Sequence, residues 1–390
     1  MSAIIGPGAT VLQVVNRRAR TIMFFAVVLG IWGLMHAYVG WRLGTLPLFA
    51  GAGARYWLVI GLSFGFAAYP AGRILLHHGA PVVGRVVEYG GALWMGVLML
   101  LLPALAVVDV VTLFGLVLKP WLVTLRLAAV GVAVVLAVVA MVGGNVRPRT
   151  VELEVPLPRL PAAADGLVIV QLSDLHLGSL IGTKRLREVI QQIADLHPDV
   201  VAVTGDLVDA DPGMVEKMLP DLRRLTAPLG VYAVLGNHEY YAGADRSRKL
   251  MRDAGFTVLD NAAAEVVPGL WLAGVADRGG GRQTGGLESD LEAALADVPE
   301  GAAVVLLQHT PGDEEQAARA GVGLMLNGHT HGAQIWPAHF LVRRVFPHLA
   351  GVRRVGAMTQ VVCRGAGWWG PPMRLFAPSE IYCITAQAAN

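Results

Sequence analysis

Five short segments carry most of the side chains in this sequence that could do chemistry. They are Ser173-Asp174-Leu175-His176, Gly205-Asp206-Leu207-Val208-Asp209, Gly236-Asn237-His238-Glu239, Gln308-His309-Thr310-Pro311 and Asn327-Gly328-His329-Thr330-His331-Gly332. Five of the eleven histidines fall within them. Carboxylate, amide and imidazole together suit borderline divalent cations, which accept mixed nitrogen and oxygen donors. A single Asp-x-His or Gly-His-x-His is most often a capped turn. Five such segments in succession make a metal site. The two cysteines, Cys363 and Cys383, lie outside these segments in strand-like sequence and read as core residues. A disulfide between them would require an oxidising compartment. No Ser or Cys nucleophile motif competes.

Each segment follows a short apolar run. The runs Leu167–Leu172, Val200–Val203, Val231–Val234, Leu270–Val275, Val304–Leu307 and Leu324–Leu326 read as buried strands. Helical spacing lies between them, at Lys184–Leu196, Met214–Leu225, Arg246–Ala254 and Glu288–Ala296. This alternation makes an α/β domain, and in open α/β sheets ligands bind beyond the carboxyl ends of strands.

The first 145 residues are a different material. Overall the chain is 54% hydrophobic and 15% charged, with a mean hydropathy of +0.54, far from the balance of a soluble enzyme. Nine basic and two acidic residues precede Val146, leaving twenty-two and twenty-seven after it. Four apolar stretches, about Thr21–Gly40, Tyr56–Leu76, Tyr89–Leu118 and Leu122–Val142, can each cross ~30 Å of hydrocarbon. The arginines at 17, 18 and 20 precede a run too long for a signal core, so they read as a cytoplasmic anchor. With Arg73, Arg85, Arg147, Arg149 and Arg159 they outnumber Arg42, Arg55, Lys119 and Arg126 on the other side. That bias puts both ends in the cytoplasm. Asp109, inside the third stretch, is either functional or close enough to a helix end to reach headgroups or water; His77 and His78 read as interfacial loop residues. The expected organisation is a transmembrane domain over 1–145, a proline-bearing extended connector over 146–166 and the α/β domain over 167–390. No basic stripe suggests nucleic acid.

The five segments resemble the calcineurin-like metallophosphoesterase superfamily, whose pattern is D-x-H, G-D-x-x-D, G-N-H-E/D, H and G-H-x-H. The later segments Cys363–Gly367, Pro372–Phe376 and Pro378–Ile381 resemble its membrane-associated bacterial branch. The resemblance implies an αββα two-sheet sandwich attached here to a multi-pass α-helical membrane domain. It also implies one metal on Asp174, His176 and His331, a second on Asn237, His309 and His329, and Asp206 bridging them. His238 would face the substrate phosphoryl group as the catalytic residue, while Asp209 and Glu239 would support turns or orient ligands.

Two divalent ions about 3.5–4 Å apart can share a hydroxide and clamp a phosphate, manganese being the first choice and iron or zinc the others. The expected activity is a phosphodiesterase- or pyrophosphatase-type hydrolysis at a cytoplasmic membrane of bacterial type. Ile335–Val355 mixes large apolar residues with Arg343, Arg344, Arg353 and Arg354, like an interfacial element, and points to a membrane lipid or lipid-linked phosphate as substrate. The alternatives are a soluble substrate such as a cyclic nucleotide, and a non-catalytic scaffold or sensor.

Overall fold

The computed structural model describes residues 11–209 and 212–388, and the chain divides into two compact units between Val135 and Leu136. Among the described residues of the N-terminal half, the long elements are α1 (Val11–Leu43), α2 (Ala52–His77), α3 (Pro81–Val111) and α4 (Leu122–Asn145). All four are long and apolar enough to cross a membrane. Their outer faces are what lipid requires: Leu34, Trp57, Phe64, Val86 and Val135 are among many large exposed side chains. Small residues let α2 and α3 approach closely; a Cβ on Gly72 would lie 2.5 Å from Glu88 Cα.

The third apolar stretch does not run from Tyr89 to Leu118. It is helical from Pro81, a residue suited to a first helical position, and stops at Val111. Thr112 Oγ1 accepts the Gly115 N–H at 3.2 Å, while Leu113, Phe114 and Leu118 take positive φ, which no right-handed helix accommodates. Apolar composition continues through this turn, so hydropathy alone could not place the helix end. Asp109 does not reach out to headgroups or water. It is buried against Arg42 and Arg126.

The C-terminal unit has two six-stranded sheets. The first contains β1 (Arg149–Leu157), β2 (Val168–Leu172), β3 (Val200–Thr204), β4 (Val231–Val234), β5 (Thr257–Val258) and β12 (Glu380–Ala388), in the order β1-β12-β2-β3-β4-β5. The second contains β6 (Ala262–Val267), β7 (Leu270–Gly274), β8 (Ala303–Leu307), β9 (Leu324–Asn327), β10 (Gly351–Val355) and β11 (Met358–Val362), in the order β10-β11-β9-β8-β7-β6. From β2 to β5 and from β7 to β9 all neighbours are parallel. Ile169, Val200 and Val234 of the first sheet meet Leu272, Val305 and Leu326 of the second in one dry core. All six expected strands form, with ends shifted by at most one residue.

Other elements differ from expectation. Residues 149–157, expected to be part of a connector, form β1 and pair in parallel with β12. Pro156 is tolerated there because β1 is an edge strand. The helix expected over Met214–Leu225 is two short pieces, α6 (Pro212–Glu216) and α7 (Leu219–Leu222), and α5 spans Thr183–Ala194. The next helix, α8 (Asn237–Asp253), begins at Asn237 rather than at Arg246 and kinks at Gly243, so its first turn carries site residues. The last expected helix is trimmed to Leu291–Leu295, with the Asp290 side chain capping its start. Cys363 and Cys383 are both free thiols.

Candidate metal centre

The turns after β2, β3, β4, β8 and β9 converge at one edge of the paired sheets, and they bring every expected ligand together. Asp174, His176, Asp206, His329 and His331 all take left-handed backbone conformations, with φ between 51° and 71°. Such conformations are strained for residues with a Cβ and cluster at functional sites. The turns interlock through glycine: a Cβ on Gly236 would lie 2.6 Å from the Asp206 nitrogen. One on Gly328 would run into the Ser173 and Asp174 side chains.

Hydrogen bonds fix the carboxylates. Asp174 accepts the His329 N–H at 3.0 Å and the Ser173 hydroxyl at 2.5 Å. Asp206 Oδ1 accepts the His238 N–H at 2.9 Å. Glu239, fully buried, accepts from the backbone nitrogens of Asp206, Val208 and Gly236 at 2.7–2.9 Å, stapling the β3 turn to the β4 turn. Its expected supporting role has this concrete form.

The inward atoms include several acceptors that face one another and need a proton or a metal ion between them. His309 Nδ1 lies 2.8 Å from the Thr204 carbonyl, so that nitrogen carries a proton and Nε2 faces inward. Nε2 points at Asn237 Oδ1 and Asp206 Oδ2, each 3.1 Å away, and neither oxygen can donate, so a proton or a metal ion has to sit on the nitrogen. His329 Nδ1 is 2.9 Å from the same Asn237 oxygen. On the other side of Asp206, His176 Nε2 lies 3.7 Å from Oδ2 and 3.0 Å from His331 Nε2, and the latter is 3.5 Å from Asp174 Oδ1. These atoms form compact donor groups, Asp174 with His176 and His331, and Asp206 with His309 and His329, while a third, His176 with Asp206 and His238, shares a member with each. For bonds of about 2.1 Å, neighbouring ligands on one ion stand about 3.0–3.4 Å apart. The spacings of 2.9–3.5 Å lie in or within 0.1 Å of this range, and His176 Nε2 to Asp206 Oδ2, at 3.7 Å, is wider. Asp206 Oδ2 borders both groups.

Charge agrees with geometry. Burial disfavours a proton on His309, yet the adjoining Asp206 carboxylate holds its pKa well above the usual imidazole value, so the site calls for positive charge there. Burial, together with His176 and Arg374, holds His331 well below that value and leaves it neutral. Burial likewise opposes charge on His238, but Asp206 and Asp209 override it and raise its pKa to about 9. Asp209 Oδ1 sits 3.1 Å from His238 Nδ1, which fixes the ring.

Three features of the site were not legible in the sequence. Arg374, buried in the loop after β11, donates to the carbonyls of Arg364, Gly367 and Ala377 at 2.6–2.9 Å, and its Nη2 lies 3.2 Å from His331 Nδ1. Burial lowers its pKa to about 10, still charged at neutral pH. Tyr241 and Trp369, each about half exposed, place rings 5.6 and 5.5 Å from that of His238. Only their neighbourhood in the fold marks them.

Residues 167–333 match the family model described as calcineurin-like phosphoesterase. A Danio rerio relative, named transmembrane protein with metallophosphoesterase domain, is 34% identical over 269 residues, covering 66% of this chain and 62% of that protein. An uncharacterized metallophosphoesterase of Aquifex aeolicus is 34% identical over 243 residues, covering 62% of this chain and 91% of that one. Among solved structures, a dimetal phosphatase from Danio rerio aligns with a TM-score of 0.36 at 11% identity, over 52% of this chain and 88% of its own. This chain thus spans about three fifths of the length of the first relative and nine tenths of the second.

Proposed function

The chain belongs to the calcineurin-like metallophosphoesterases, and on that premise we propose that it hydrolyses a phosphoric ester or anhydride carried by a membrane lipid. The observation that carries the reading is the crowding of imidazole nitrogens with carboxylate and amide oxygens around Asp206 Oδ2, a donor set that suits divalent cations between its members. In this reading Asp174, His176 and His331 would hold one ion, Asn237, His309 and His329 the other, and Asp206 would serve both. The donors are nitrogen and oxygen without thiolate, which favours manganese, with iron or zinc as the other choices. Bound there, two divalent ions neutralise the charge of a phosphoryl group and acidify water at the site.

The remaining work falls to the chain's own residues. Asp209 holds His238 at Nδ1, which leaves Nε2 to bond the phosphoryl group or protonate the leaving oxygen as the P–O bond breaks. Tyr241 and Trp369 flank that ring and shield it. Glu239 and Arg374 keep the turns in place.

A lipid-borne substrate is supported by the rim of the site. Phe346 packs its ring 5.3 Å from that of His329, and Phe340, Leu341, Val345 and Phe376 are all more than 60% exposed. Large side chains exposed in one neighbourhood mark a surface that meets lipid or another protein. The four long apolar helices supply the membrane. The arginine bias supports a cytoplasmic face for this unit at the cytoplasmic membrane of a bacterial-type cell, and reporter fusions after Asn390 test it. A periplasm-active phosphatase reporter that works there would reverse the orientation.

The substrate is tested with the full chain in nanodiscs, given a panel of phospholipid and lipid-linked diphosphate substrates beside a soluble cyclic nucleotide. Turnover of a lipid substrate well above that of the nucleotide is expected. Turnover of the nucleotide alone would move the soluble-substrate reading ahead. Inactivity on both with two metals bound would favour a scaffold.

A further inference from the structure

A second buried polar cluster lies in the helical unit, where α1 ends, α3 ends and α4 begins. Arg42 is one residue from the end of α1, Asp109 two from the end of α3, and Arg126 four past the start of α4. At 1.5 Å per residue, all three sit within about 6 Å of a helix end, at the depth of lipid headgroups. Asp109 accepts from Arg42 Nε and from the Tyr38 hydroxyl, both at 2.6 Å, and lies 3.5 Å from Arg126 Nη2. Arg126 Nη1 donates to Thr45 Oγ1 at 2.9 Å. Arg42 is also stacked, its guanidinium carbon 3.4 Å from the centre of the Trp41 ring.

The cluster does not balance. Arg42 and Arg126 are each 4% exposed and Asp109 1%, so two guanidiniums share one carboxylate with little water to help. Arg42 Nη2 and Arg126 Nε are buried with no hydrogen-bond partner among the described residues. Buried charges persist when they are paired and hydrogen-bonded. Two guanidinium donors are thus left for an acceptor from outside the chain, and phosphate oxygens suit the fork geometry of an arginine. At headgroup depth between apolar helices, the phosphate at hand is that of a lipid, and basic pockets between membrane helices bind such headgroups.

We infer that Arg42 and Arg126, at the bundle end built around Asp109, bind the phosphate of an anionic membrane lipid. The site is separate from the metal centre and does not depend on the reaction proposed for it. Asp109 preorganises the two arginines and leaves a single positive charge, enough to select an anionic lipid over a zwitterionic one.

The test is native mass spectrometry of the full chain released from detergent, titrated with phosphatidylglycerol, with phosphatidylcholine, or with inorganic phosphate. The wild type should keep phosphatidylglycerol in preference to both others. Arg126→Gln should weaken that adduct by about fivefold, the worth of one arginine near a headgroup. Asp109→Asn should strengthen it by a similar factor, because it removes the competing internal anion. Both variants should elute from size-exclusion chromatography as the wild type does and keep its helical circular dichroism, which reports that they fold. A purely structural ion cluster would weaken the adduct in both variants, and that result would overturn the inference. Equal retention of phosphatidylcholine would overturn the selectivity, and equal retention of inorganic phosphate would overturn the lipid as the source.

Discussion

The chain holds two buried polar clusters whose imbalances have opposite sign. At the sheet edge, His309 Nε2, Asn237 Oδ1 and Asp206 Oδ2 crowd together at about 3.1 Å, and neither oxygen has a proton of its own to give. In the helical bundle, Arg42 Nη2 and Arg126 Nε are donors left over after Asp109 has been shared. Well-packed proteins rarely leave buried polar groups unsatisfied. An excess of lone pairs therefore asks for a cation, and an excess of N–H groups for an anion. The contrast teaches that the sign of a missing ligand can be read from what the surrounding side chains cannot give one another. The clusters also differ in backbone cost. Five of the metal-edge residues sit in left-handed conformations, whereas Arg42, Asp109 and Arg126 lie on regular helices.

The largest effect should come from removing the acceptor that borders both donor groups. Asp206→Asn keeps the shape of the side chain but takes away its charge, and activity should drop to background with loss of bound metal, as assayed on a soluble phosphodiester. His238→Ala should keep both metals and still lose about 10²–10⁴ in kcat. If metal analysis instead shows His238→Ala empty, the histidine belongs among the ligands. Next comes Arg374→Gln, which touches no proposed metal donor group except through His331. It should weaken metal affinity by about 10–100-fold, the usual cost of an outer partner, measured by titration of chelator-treated protein. An unchanged affinity would remove Arg374 from the positioning shell. The smallest and most selective change is Phe340→Ser with Leu341→Ser. Each exposed apolar side chain that enters lipid contributes about 25 cal/mol per Å², so hydrolysis of a lipid substrate in bilayers should drop several-fold. Hydrolysis of a soluble ester should stay constant. Equal losses on both substrates would show that this segment supports the fold rather than the membrane contact.

The legibility of the two clusters in the sequence was unequal for a physical reason. Strand-end turns repeat a local pattern, so Asp174, His176, Asp206, Asn237, His309, His329 and His331 could be picked out without knowing how the sheets pack. Arg374 could not, because its carbonyl partners come from a loop that folds back on itself and its histidine neighbour from another turn. The partners of Asp109 are 67 and 17 residues away on other helices, so an isolated charge in an apolar run looked unpaired. Among the strands, β1 was hidden by Pro156, since an edge strand tolerates a proline that a central one would reject. The first turn of α8 was hidden by its own chemistry: Asn237, His238 and Glu239 read as a site turn before they read as a helix start.

The central claim is that the sheet edge holds two divalent cations around Asp206, and counting them tests it most directly. Elemental analysis of active full-length protein should find two transition-metal ions per chain, and Asp206→Asn protein should lose them together with activity. Prolonged chelation should abolish turnover, and Mn²⁺ should restore it. Active protein without bound metal, whose turnover is indifferent to the chelator, would contradict the account.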